Sequence, residues 1–589
     1  MKRSSVEEKY RWNLKDLYGS PADWESAYAA LEKDGGFSEF KGKLSEKEGL
    51  LACLKKQDEI SRRLEKLYLY AHMLFDQDTS DSANGGYIAR AQSLYVKINA
   101  DTAYILPELT ALPEKTLEGF IADKDFADYD YLLKTVVKTK AHVLGEEAEK
   151  VLALGGDMYS GFRDVFTVAE NADFPFPSVK DENGKAVRVT HGTYSVCMQS
   201  QNRSFRRRAF KAYYKAFISL ANTFTATYSG SVKKDVFLAK ARGYESCLQS
   251  ALFGEDVPPA VYTNLLSAVH EGLGDLHRYI EAKKQALGLK EMHMYDIYVP
   301  LVEGADLKLG YEEACALVKK GLAPLGEEYV SLLQKAFDER WIDVYENDGK
   351  RSGAYSTSCY DAHPYVLLNY QKTTHDVFTI AHEMGHSIHS YFSNRTQPYA
   401  KADYRIFVAE VASTVNEVLL LRYILGEAKD EKLKKYLLSY LLEMIRTTLF
   451  RQTQFAEFEY AAHEMAEKGE PLTRETLCRT YKSLNETYYG KGVVSDEEIA
   501  YEWARIPHFY TSFYVYKYAT GLTSALCIAD NILKEGAPAV EKYFAFLSSG
   551  GSDGPVELLK IAGVDLTRKE PFDGALKVFN ETLDKFLAM

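Results

Sequence analysis

The sequence predicts a mainly α protein. Apolar residues recur every three or four positions along most of its 589 residues, and proline, at 16, falls mainly between these periodic stretches. Only two short segments carry a strand-like pattern. The length points to two or more domains, or to one very large enzyme body.

Taken in order, "DWESAYAALEKD" and "KTLEGFIADKDF" read as amphipathic helices. The first break is "FPFPSVKDENGKAVRVT" (174–190). Its Asn183-Gly184 pair between short strand-like flanks predicts a β-hairpin. "RSFRRRAFKAYYKAF" (203–217) is basic and aromatic. Phe205, Ala209, Ala212, Ala216 and Leu220 nevertheless share one helical stripe, so an amphipathic surface helix is expected rather than a nucleic-acid groove. "VYTNLLSAVHEGLGDLHRYIEAKKQAL" is helical again. The second break, "RSGAYSTSCYDAHPYVLLNYQ" (351–371), places Gly, Ser and Pro around Tyr- and Val-rich pieces and predicts short strands. Such a strand could pair with an extended peptide, or be structural only.

Composition narrows the class. With 46% hydrophobic and 26% charged residues the chain is an ordinary soluble protein. A net charge of −12 argues against nucleic acid as a partner. The seven cysteines are scattered and never form C-x-x-C, which fits reduced thiols. The N-terminus lacks the apolar core of a secretory signal, and no apolar run reaches the ~18 residues of a membrane helix. A cytoplasmic protein with no membrane partner is expected.

The chemistry concentrates in "TIAHEMGHSIHS" (379–390), where His382, Glu383 and His386 form H-E-x-x-H. A helix is expected from Thr374 to Phe392, started by the T-x-x-D pair Thr373 and Asp376. At about 100° per residue, His382, His386 and His389 share one face. Val377, Ile380, Met384, Ile388 and Tyr391 form the opposite one. Two imidazoles one turn apart can reach one Zn2+ ion at roughly 2.0–2.1 Å each. Glu383 is aimed beside that ion, where the general base for a metal-bound water belongs. "AHEMAE" (462–467) and "VHEGLGDLH" (269–277) lack the second histidine and read as solvated helix faces.

A third ligand is required. Phe392 stands where a metzincin carries its third histidine. His389 could ligate only from a bent helix, so a supporting or structural place is expected for it. "DYRIFVAEVASTVNEVLLLRYIL" (403–425) is a second strong helix carrying Glu410 and, two turns on, Glu417. The expected third ligand is Glu410, with Glu417 holding the far nitrogen of a ligating histidine.

These segments resemble the thimet-type oligopeptidases, whose signature is H-E-x-G-H-x-x-H followed by a Glu ligand on the next helix. "WNLKDLY", "GAYS…PYVLLNY", "RIPHFYTSFYVYKYATG" and "GGSDGPVELLKIAGVDL" are similar to the oligoendopeptidase F branch of that family, almost from end to end. The resemblance implies a large helical zinc-peptidase fold with a deep substrate channel and a few short strands beside the active site. It implies an N-terminal helical domain (1–195) and a catalytic domain (196–589). It further implies a cytosolic endopeptidase that cuts internal bonds of short peptides with one zinc ion held by His382, His386 and Glu410. Glu383 would be the base. His508, with Tyr516 or Tyr514, would stabilise the oxyanion, the share of Tyr510, Tyr514 and Tyr516 staying open. Gly353, Ala354 and Tyr510 are candidates for holding the peptide. An exopeptidase of the dipeptidyl carboxypeptidase kind and a non-catalytic peptide-binding protein are the alternatives.

Overall fold

The computed structural model describes residues 2–302 and 307–589. Helix accounts for 72% and strand for 3%, as the apolar periodicity predicts. Two compact units interleave along the chain. The first comprises Met1–Val143, Asp306–Gly426 and Ile528–Val564, and the second Leu144–Ala305, Glu427–Cys527 and Asp565–Met589. The boundary expected at 195/196 lies within the second unit and inside a helix, His191–Gln199.

In the first unit, a long helical hairpin (Lys47–Gln77 and Ser82–Thr102) forms one wall of a core built on Trp12, Trp24, Leu50, Leu67 and Tyr70. A three-stranded sheet adjoins it. Numbering strands in chain order, β1 is Ser178–Lys180, β2 Ala186–Arg188, β3 Met292–His293, β4 Ile342–Asp343, β5 Tyr355–Thr357, β6 Tyr365–Leu367 and β7 Val493–Val494. The sheet order is β4-β6-β5, with β6 parallel to β4 and antiparallel to β5. Both strands expected within 351–371 are therefore present, and β5 is an edge.

Two helices of this unit matter most. The histidine helix, Thr374–Thr396, starts at the expected cap. Thr373 Oγ1 accepts from the Asp376 amide, and the Asp376 carboxylate accepts from the Thr373 amide at 2.8 Å. The glutamate helix, Ile406–Glu427, packs against it. The contact is backbone to backbone, because Gly385 carries no Cβ where Ala412 and Ser413 approach. Asn416 ties the pair further. Its side-chain amide donates to the Ala381 carbonyl at 2.9 Å and accepts from the Tyr329 hydroxyl at 2.8 Å.

In the second unit β1 and β2 form the predicted hairpin, with Gly184 at φ +79° in its turn. Two expectations need correction. The basic helix, Arg203–Ser219, is not a surface helix with one narrow stripe. Phe210, Tyr213, Tyr214 and Phe217 are buried as well, and Arg206, 3% exposed, donates to Asp296 at 2.6 Å. A buried carboxylate gives the guanidinium a reason to turn inward. His463 of "AHEMAE" is not solvated either. It is 1% exposed, and its ring nitrogens contact the Glu459 carbonyl at 2.8 Å and Asp235 at 3.3 Å.

Candidate metal centre

The histidine helix buries Val377, Ile380, Met384 and Ile388 and turns His382 and His386 the other way. Their Nε2 atoms lie 3.2 Å apart. Glu410 of the glutamate helix completes a triangle, with Oε2 3.4 Å from His382 Nε2 and 3.5 Å from His386 Nε2. Three ligands of one tetrahedral ion at roughly 2.0–2.1 Å would stand about 3.3–3.4 Å apart. The donor set and its spacing therefore fit zinc. Among the described residues these three form the group of histidine and carboxylate side chains able to share an ion.

The surroundings favour a cation. His382 Nδ1 donates to Glu417 Oε1 at 2.5 Å, which fixes the tautomer and leaves Nε2 to face the triangle. Burial alone would lower the His382 pKa. The hydrogen bonds to Glu410 and Glu417 overcome this and raise it to about 10. Burial would raise Glu410, yet its bonds to His382 and His386 hold it well below the usual carboxylate range.

Glu383 is 7% exposed, and burial pushes its carboxyl up. It shares a cavity of about 410 Å³ with His382, His386 and Glu410. Residues 354–358 line the same cavity, which sets the β5 strand beside the triangle. Tyr355 donates to Asp76 at 2.7 Å, and the Ser356 and Ser387 hydroxyls meet at 2.8 Å. Successive residues of β5, pointing to opposite faces, are thus pinned to the hairpin helix and to the histidine helix.

Of the residues singled out in the sequence, Ala354 lines the cavity. Gly353 adjoins it in the left-handed region (φ +89°), its carbonyl accepting from Asn369 at 2.8 Å. His389 is not part of the triangle. Its ring stacks on Tyr404 at 3.8 Å and packs on Phe546, and burial lowers its pKa to about 3. Tyr404 in turn lines the cavity, so His389 supports the wall. Sequence reasoning missed Tyr404, Asn416 and Gly385. Only the glycine left a signal, as the one glycine in an otherwise regular helix.

His508 and the tyrosines belong to the second unit. His508 is exposed at the turn Pro507–Tyr510. Its ring stacks with Tyr514 at 5.9 Å, and the Tyr518 hydroxyl lies 3.3 Å from its Nε2. Tyr516 departs from expectation: it is 0% exposed, with its ring 5.2 Å from that of Tyr262. Tyr510 departs too, since its hydroxyl lies 2.7 Å from Thr227 Oγ1 and its ring stacks on Phe166 at 4.4 Å. The cause is local. Phe513 takes a left-handed backbone (φ +55°), its amide donating to Glu459 at 2.7 Å and its ring lying 4.6 Å from His463. Beyond that bend Tyr516 begins a helix facing the core.

Comparison with known proteins places the chain among peptidases. The model of peptidase family M3 matches residues 196–578, and that of Oligopeptidase F matches 108–176. Oligopeptidase PepF of Bacillus subtilis is 45% identical, over 99% of this chain and 88% of its own. A crystal structure from Chlamydophila abortus aligns at a TM-score of 0.94 with 37% identity, over 100% of this chain and 99% of that one. The oligoendopeptidase-F structure from Enterococcus faecium aligns at 0.74 with 34% identity, over 96% and 98%.

Proposed function

The chain belongs to peptidase family M3, in its oligopeptidase F branch, and from that premise we propose that this peptidase is a zinc-dependent endopeptidase cutting internal bonds of short peptides. The observation that carries the reading is the triangle of His382, His386 and Glu410, with edges of 3.2, 3.4 and 3.5 Å and Glu383 beside it. Zinc held there would supply Lewis acidity, lowering the pKa of a water and polarising a carbonyl.

The protein's own residues do the rest. The free edge of β5 receives the peptide in extended form and presents its carbonyl to the triangle. Glu383 takes a proton from the attacking water and returns it to the leaving amine. Its burial keeps competing water away and strengthens each charge interaction. Glu417 and Asn416 keep His382 and the two helices in register. Oxyanion donors are assigned to the exposed His508 with the half-buried Tyr514 or Tyr518 beside its ring, rather than to the buried Tyr516. We take residues 196–589 as the catalytic part and 1–195 as the N-terminal part, following the sequence families. Seven free thiols support a cytoplasmic setting.

The test is a peptide blocked at both ends. Internal cleavage by the protein, abolished by a chelator and restored by zinc, is expected. Glu383→Gln should bind zinc and lose nearly all turnover. Cleavage only of peptides with a free terminus would favour an exopeptidase. Wild-type turnover in Glu383→Gln would remove that residue from the mechanism.

A further inference from the structure

We propose that a second cavity of the first unit, next to β5, takes an apolar or aromatic side chain of the peptide two to four residues from the bond that is cut. The inference rests on the reading above and adds a substrate preference to it.

The cavity measures about 930 Å³, and Thr357 and Ser358 line both it and the 410 Å³ cavity at the triangle. The two thus adjoin at the end of β5. An extended chain advances about 3.3 Å per residue. A peptide held on the β5 edge therefore reaches the second cavity within a few residues of the triangle. The offset is fixed, because Tyr355 is bonded to Asp76 of the hairpin and Ser356 to Ser387 of the histidine helix.

Chemistry sets the class of side chain. One face of Lys47–Gln77 contributes Leu64, Tyr68 and Leu69, and one face of Ser82–Thr102 contributes Tyr95 and Val96. Tyr95 is 51% and Val96 65% exposed, an unusual amount of bare apolar surface at one mouth. Among the described residues no lysine or arginine lines the cavity. Its one carboxylate, Glu65, accepts a hydrogen bond from Tyr399. An acidic substrate residue would meet that carboxylate, and the His72 ring that also lines the cavity is biased toward its neutral form by burial. Burying a Val- to Phe-sized side chain changes affinity by roughly ten- to a hundredfold.

The experiment uses doubly capped Gly/Ser-rich peptides with one cleavable bond, in which a Phe or an Asp is moved one position at a time. Cleavage by the wild-type protein is compared with that by Tyr95→Glu/Val96→Glu, and with Val168→Glu, a control at an exposed site elsewhere. Thermal melts check that each variant folds. The expected wild-type result is a preference for Phe over Asp of about tenfold or more in kcat/KM at one of the positions two to four residues from the cut. That ratio should fall toward one in the double variant and persist in the control. No preference, or one that survives the double substitution, would overturn the proposal. The same peptides, dye-labelled, are also bound to Glu383→Gln and read by fluorescence anisotropy. A Phe preference in binding without cleavage by the wild type would sink the enzymatic reading and leave the cavity assignment standing. Cleavage with no preference in either readout would do the reverse.

Discussion

A Cβ added to Gly385 would stand 2.5 Å from the Cα of Ser413. The histidine and glutamate helices meet there, between the levels of Glu410 and Glu417. An alanine could be accommodated only by moving one helix, and overpacking of this kind costs about 1–3 kcal/mol. Gly385→Ala is expected to lower Tm in calorimetry and to retain less zinc after dialysis, because the movement widens the triangle. A variant with unchanged Tm and zinc content would mean that the close contact is not what sets the ligand spacing.

The bond from His382 Nδ1 to Glu417 gives a prediction that separates holding a metal from orienting its ligand. Glu410→Ala removes a donor from the triangle and should abolish stoichiometric zinc at micromolar metal. Glu417→Ala leaves three donors but frees the His382 ring, and should weaken zinc by about 10- to 100-fold. Competition against a chromophoric chelator measures both. Undiminished zinc in Glu410→Ala would show that the third ligand lies elsewhere.

The histidine face, the Thr373–Asp376 cap and the Glu410–Glu417 pair were legible because each depends on spacing within one helix. The 183–184 turn was legible because Asn-Gly suits left-handed backbone. What stayed hidden depends on partners distant in the chain. Arg206 turns inward toward Asp296, 90 residues on, and His463 toward Asp235, 228 residues back. Helical periodicity registers the polarity of such residues but not the partner that makes burial tolerable. Tyr514 and Tyr516 could not be told apart for a different reason. The bend at Phe513 depends on Glu459, and a non-glycine left-handed residue leaves no mark in sequence.

That bend leads to a contrast between neighbouring tyrosines. Tyr514 stacks with the exposed His508, whereas Tyr516 packs on Tyr262 and burial pushes its pKa well above the usual tyrosine value. Tyr514→Phe is expected to lower kcat by ~10²–10³, the usual cost of a lost oxyanion donor, with zinc content and Tm unchanged. Tyr516→Phe should alter Tm and leave kcat close to wild type. The opposite pattern would return the oxyanion role to Tyr516 and require the 513–516 segment to rearrange when peptide binds.

Stability should also fall as pH rises, through Glu170, which lies near the end of the helix Gly156–Asn171. Burial raises its carboxyl from the ordinary 4.5 to about 7, with Arg505 opposing in part. The folded state therefore holds this proton more tightly than the unfolded one. No penalty exists below about pH 4.5, where both forms are protonated. It grows between there and pH 7 and levels off above, at roughly 3 kcal/mol. His191 works the other way. Its ring lies 3.0 Å from the Glu170 carbonyl and 2.6 Å from the Tyr213 hydroxyl, and burial depresses its pKa, so its contribution is lost as pH falls below 6.5. His191 Nε2 also lies 4.0 Å from Glu170 Oε1, so the wild type and Glu170→Gln are compared in a shared His191→Gln background. In urea unfolding from pH 4.5 to 8, the variant should match the wild type at the acid end and exceed its stability increasingly toward pH 8. A difference that stays constant with pH would show that Glu170 ionises freely within the fold.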